Sequence, residues 1–194
     1  TGGLDLSGPL VVLDLSALYN SAALGVLMAC ATAWLQAALA RQAAAGRSDT
    51  TAHAVTHHTL VVVDEAWAVL ANLGVARWLQ ASWKLSRAYG VANVAVLHRL
   101  SDLQAVGAAG SEQVGLARGL LADSETRVVY AQPPGEVAGA AELLSLSPTE
   151  AELLPQLRRG VGLWKVGRRA FLVQHLVSAT ERLLIDTDMA MAVR

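Results

Sequence analysis

The chain has 194 residues, 54% hydrophobic and 16% charged, enough apolar material for one sizeable core and too much for a disordered polymer. Its net charge of −1 gives no overall basic field for nucleic acid or an anionic membrane. A single cysteine, Cys30, excludes a disulfide framework and a cysteine-built zinc site, and makes a reducing, cytosolic setting the default.

The opening Thr1-Gly2-Gly3-Leu4-Asp5 lacks the basic and apolar regions of a signal peptide, and it lacks an initiator Met. The chain therefore reads as a piece of something longer. Pro9 to Leu15 predicts a first strand. Asn20 or Ser21 is expected to cap a helix that reaches about Ala45 and stops at Gly46. Ala22 to Ala40 carries no charge, which raises a membrane span. Ala dominates it, however, and Ala is near neutral for insertion. A long helix buried against a sheet is the better reading. Arg47 to His58 is a polar loop holding His53, His57 and His58. Only Asp49 is near to support a metal, so the loop reads as solvated surface.

Thr59-Leu60-Val61-Val62-Val63-Asp64-Glu65-Ala66-Trp67 is the most informative stretch. Its first five residues suit a strand buried on both faces of a parallel sheet. Two carboxylates then emerge at the strand's carboxyl end, where open α/β sheets bind ligands. An Asp so placed can hold Mg²⁺, and a following Glu can orient and activate an attacking water. The plain alternative is a strand entering a helix whose first turn favours acids through the helix dipole.

Helical sequence from Trp67 is expected to break near Gly74 and resume from Val75 to Tyr89. Val75, Trp78, Leu79, Ser82, Leu85, Ser86 and Tyr89 then share a face. Gly90 ends this helix. Asn93 to Leu97 predicts a third strand, and His98 at its end falls on the same sheet edge as Asp64 and Glu65. A polar residue there can sense the γ-phosphate of a nucleotide, or simply bond a loop backbone. Arg87, close to Lys84, either complements the helix dipole or reaches a neighbouring subunit's phosphates.

Ser111 caps a helix to about Ala122, Thr126 to Ala131 predicts a fourth strand, and a helix covers Val137 to Leu144. Ser147-Pro148-Thr149-Glu150 is a capping box with Pro at the first helical position. Pro155 keeps that helix short. Gly162 to Val166 and Ala170 to Val177 flank Gly167-Arg168-Arg169 as an antiparallel hairpin. Ser178-Ala179-Thr180-Glu181 is a second capping box, and Asp186-Thr187-Asp188 reads as a helix stop. The order of elements predicts an α/β fold in one domain, 1–194, with the four strands in one sheet and the first three parallel.

No G-x-x-x-x-G-K-[ST] occurs anywhere. A P-loop enzyme with this sequence would carry its first strand and phosphate loop upstream of Thr1.

Val61-Val62-Val63-Asp64-Glu65-Ala66-Trp67 resembles the "DEAW" Walker B segment of the conjugative type IV secretion ATPases, which belong to the HerA/FtsK-like group of RecA-fold motors. Lys84-Leu85-Ser86-Arg87 is similar to the basic pair that ends the family's next helix. Val96-Leu97-His98-Arg99-Leu100-Ser101-Asp102-Leu103 matches its sensor strand, with His98 in place of the usual Gln. Leu146-Ser147-Pro148-Thr149-Glu150, Gly160 to Gly167, and Ser178 to Glu181 resemble its later helix start, glycine-led strand and C-terminal helix. The resemblance covers nearly the whole chain from Pro9 onward.

It implies a RecA-like, mostly parallel sheet flanked by helices, with a C-terminal hairpin and the P-loop segment missing. It implies ATP and Mg²⁺ as ligands: Asp64 on the metal and nucleotide, Glu65 on the water, His98 at the γ-phosphate, and Arg87 acting in trans. The expected partners are copies of itself in a ring (a hexamer), secretion or conjugation channel proteins, and DNA. The expected location is cytoplasmic, peripheral at the inner face of the cell membrane. This piece alone is expected to be inactive. The rival expectations are a degenerate, non-catalytic RecA-like scaffold and a DNA-translocating helicase-type motor.

Overall fold

The computed structural model describes residues 8–18, 21, 23–48, 59–99, 101–102, 107–108 and 110–185. The His53, His57 and His58 cluster and Asp186-Thr187-Asp188 lie outside the described residues. The chain divides into two compact units, Thr1–His98 with Asp102–Leu120, and Arg99–Ser101 with Leu121–Arg194.

In the first unit, β1 (Thr59–Val63) and β2 (Val91–Ala95) form a parallel pair in register Thr59↔Val91 to Val63↔Ala95. α2 (Ala66–Leu70) follows β1 directly and α3 (Leu73–Tyr89) returns the chain to β2. Ala66, Ala68, Val69, Leu70, Val75, Ala76 and Leu79 form the buried core where α2 and α3 meet the sheet. The predicted apolar face of α3 holds at Val75 and Leu79, whereas Leu85 is exposed. α3 begins before Gly74, because the Asn72 side chain accepts the Val75 amide and sets the start there. Gly90 takes a left-handed conformation and ends the helix, as expected.

α1 (Ala23–Ser48) starts with the Ser21 hydroxyl accepting the Ala23 amide, and it runs through Gly46. Its main packing is on α3, with Thr32 and Leu39 buried and most of its other described residues at least partly exposed. That corrects the expectation of a helix buried against a sheet. At Gly25 the helix comes close to the α2–α3 turn, where a Cβ would stand 2.7 Å from the Asn72 side-chain nitrogen. Ala23–Arg41 is long and apolar enough to cross a membrane by length and composition alone. α4 (Glu112–Asp123) is tied to α3 by a bidentate Arg77–Glu112 pair at 2.7 and 2.8 Å.

Pro9–Leu15 does not form a strand; Leu10 and Val12 are exposed and no described strand pairs with them. β-branched composition is insufficient without a ladder to satisfy the backbone.

In the second unit β3 (Thr126–Val129), β4 (Val161–Val166) and β5 (Arg169–Gln174) form an antiparallel sheet with β4 central. The predicted hairpin is thus present, turning at Gly167 with φ 57°. The four-strand single sheet is corrected: β3 pairs with the hairpin and not with β2. Pairing to β4 sets Val129 opposite Leu163, and both are buried. α5 (Pro134–Leu144) and α6 (Pro148–Leu153) precede β4, and α7 (Ala179–Ile185) follows β5. Ala140, Leu144 and Leu154 complete this core. Arg127 donates to the carbonyls of Leu121, Ala122 and Leu144, so one guanidinium closes the ends of α4 and α5. Both predicted capping boxes are formed, Ser147 with Glu150 and Ser178 with Glu181.

Candidate functional site

A parallel pair puts both carboxyl ends on one side, and here the pairing continues past the strands. The Val96 amide donates to the Val63 carbonyl at 2.9 Å, and the Ala66 amide donates to the Val96 carbonyl at 3.0 Å. These bonds bracket Asp64 and Glu65 and hold the segment leading to His98 beside them.

The turn between β1 and α2 is tight. Glu65 adopts φ 50° and ψ 45°, a left-handed conformation that costs an L-residue roughly 1–2 kcal/mol. The Asp64 carboxylate accepts the Glu65 amide at 3.0 Å, which helps fix the turn. The strain aims the Glu65 side chain across the strand ends. His98 Nε2 lies 2.8 Å from Glu65 Oε1. Trp67 Nε1 donates to Glu65 Oε2 at 2.7 Å. Glu65 is 28% exposed and His98 66%, so the site is open to solutes at the sheet edge.

The structure therefore brings Glu65 and His98 together, with Asp64 next to Glu65 at the end of β1. Arg87 lies in the last turn of α3. Arg168 and Arg169 sit at the hairpin turn in the second unit. Trp67 also touches Glu65, a contact that the motif analysis does not single out. Its signal was present, an indole two residues beyond the acid at the first turn of a helix.

Among the described residues, no three His, Cys, Asp or Glu side chains gather into a metal cage. One carboxylate at an open strand end still fits magnesium, which keeps several waters and is bound through one or two carboxylates together with substrate phosphates. Asp64 suits that limited role.

VirB4 of Thermoanaerobacter pseudethanolicus is similar in structure. Its TM-score is 0.55 with 23% identity, over 64% of this chain and 33% of that one. This is a likeness of fold, and the chain spans about a third of the length of that structure. No family model and no curated protein matches the chain. The expected α/β class with a C-terminal hairpin is what the molecule has, and the neighbour fits the RecA-like expectation.

Proposed function

We propose that the chain supplies the water-activating half of a Mg-ATP hydrolysis site in a type IV secretion ATPase that works as a ring, together with channel proteins and with DNA or protein cargo. The observation that carries the reading is the Asp64, Glu65 and His98 cluster at the paired carboxyl ends of β1 and β2. The motif resemblance and the VirB4 fold likeness support it.

In this reading the Glu65 carboxylate accepts a proton from water as it attacks, general-base work of a kind that contributes about 10²–10⁴-fold. Asp64 would hold Mg²⁺, which would supply charge neutralisation for the nucleotide's phosphates. His98 donates towards the γ-phosphate and reports its presence to Glu65 through their 2.8 Å contact. Arg87 reaches a neighbouring subunit's site, where trans arginines contribute about 10³–10⁵ in rate.

The test uses the full-length protein. Glu65→Gln loses hydrolysis and keeps nucleotide binding, because the carboxylate acts on water. Asp64→Ala loses Mg²⁺-dependent binding as well. Arg87→Ala spares binding and lowers turnover, and rings mixing it with Glu65→Gln subunits recover activity. Normal hydrolysis by Glu65→Gln removes Glu65 from the reaction, and a natural full-length protein that hydrolyses no ATP rules the reading out in favour of a scaffold.

A further inference from the structure

We infer that Trp67 is a positioning residue for Glu65, its indole N–H fixing the carboxylate assigned to water activation; the inference rests on that reading of the site. The terminal torsion of a glutamate is broad and roughly two-fold, so an untethered carboxylate presents no fixed lone pair to water. Here the two oxygens have different partners. Trp67 Nε1 holds Oε2 at 2.7 Å, and His98 Nε2 stands 2.8 Å from Oε1. Two contacts on two oxygens arrest the rotation.

Both ends of the indole bond stand on a rigid base. Glu65 occupies the bracketed left-handed turn, and Trp67 lies in the first turn of α2. Ala66 between them is 0% exposed and tied to Val96. The arrangement is therefore set by the backbone before any ligand arrives, which is what preorganisation demands.

Indole suits this task. Its N–H is a donor only, so it never competes for the proton that Glu65 must take. An ionised carboxylate offers about four acceptor sites, so two partners leave room for water. The distance lies in the range of charge-assisted bonds.

The experiment measures steady-state ATP hydrolysis by the full-length protein with Trp67→Phe, which keeps an aromatic ring and removes the donor. A hydrogen bond to a charged group predicts a kcat loss of about 10- to 100-fold, with KM for ATP unchanged. Trp67→His, which returns an N–H, recovers part of that loss. If Glu65→Gln is inactive while Trp67→Phe keeps a normal kcat, the positioning role falls and the site reading stands. If Glu65→Gln is active, both fall.

A second measurement needs no folded Trp67 variant. In nitrogen-15 spectra the Trp67 indole N–H resonance moves upfield in Glu65→Ala, as a donor does on losing its acceptor. An indole resonance that stays in place overturns the inference, whatever the kinetics.

Discussion

Glu65 and Glu150 are the same side chain beside the starts of two helices, and they are held in opposite ways. Glu150 is the third residue of α6. Its Oε2 accepts the Ser147 amide at 2.7 Å and the Lys165 ammonium at 2.9 Å. Lys165 also donates to the Ser145 carbonyl, and both charged side chains are largely buried, at 15% and 16% exposed. Burial works against the Glu150 charge. The Ser147 and Lys165 hydrogen bonds and the Lys165 charge outweigh it, so the carboxyl titrates below its ordinary range. Glu65 instead stands on a strained turn at an open strand end, between an imidazole and an indole. The first acid is spent on holding a helix, a strand and a turn together. The second is held at the strand ends by a histidine and a tryptophan.

An exchange of phenotypes tests that contrast most severely. Glu65→Gln should cut ATP turnover by about 10²–10⁴-fold. It should leave the denaturant midpoint almost unmoved, because its contacts sit at an exposed edge. Glu150→Gln should do the reverse, lowering stability with kcat intact. Hydrolysis assays and unfolding curves on both variants decide it. A destabilised Glu65→Gln with a fully stable Glu150→Gln would break the comparison.

Lys165 sharpens it. Lys165→Met removes the ammonium and leaves the Glu150 carboxylate largely buried without its cation. The expected loss is roughly 1.5–3 kcal/mol, the size of hydrogen bonds to charged groups. The double variant with Glu150→Gln should lose less than the sum of the single losses, since the two share one interaction. Strict additivity would separate the two residues.

Acid titration provides a third test. The folded Glu150 carboxyl ionises below its unfolded value, which is ordinarily 4.5. Its stabilisation is therefore fully present above the unfolded value and is lost as pH falls through the folded one. Glu181, lowered first by its bond from the Ser178 amide, acts in the same direction. Stability followed by denaturant midpoint from neutral pH into the acid range should fall more steeply in the natural protein than in Glu150→Gln. Parallel curves would show that the pair does not set the acid limb.

What the sequence revealed was local or periodic. Both capping boxes follow from four residues each, and both formed. The apolar Leu60–Val63 run and its two acids put β1 and the acids at its end where expected, and parallel pairing placed His98 beside Glu65, but the strand is not buried on both faces as its composition suggested, because Leu60 and Val62 are exposed. What stayed hidden depends on partners distant in sequence. Pro9–Leu15 has strand composition and no ladder, and β3 took β4 as its neighbour. Asn72 set the start of α3 with a side-chain bond that a search for glycine breaks passes over. The left-handed Glu65 and the Trp67 bond to it are likewise invisible to patterns of hydrophobicity, because they concern how a turn is closed.

The smallest effect separates strain that serves a site from strain that merely ends a helix. Ser145 closes α5 at φ 52°, nearly the same left-handed conformation as Glu65 at φ 50°. Its own contribution is through the backbone: its amide returns to the end of α5 and its carbonyl accepts Lys165. Glycine keeps both. Relief of the left-handed penalty, about 1–2 kcal/mol, exceeds the roughly 0.5–1 kcal/mol that glycine's freedom costs in the unfolded chain. Ser145→Gly should therefore stabilise the protein by about 0.5–1 kcal/mol and leave kcat alone. At position 65 the fair pair is Glu65→Gly against Glu65→Ala, since both lose the contacts to His98 and Trp67. Glycine should again be the more stable, by a similar margin, while neither hydrolyses ATP. Equal stabilities would mean that the turn relaxes once the carboxylate is gone. The strain would then be a consequence of the Glu65 contacts and not a property of the backbone that aims them.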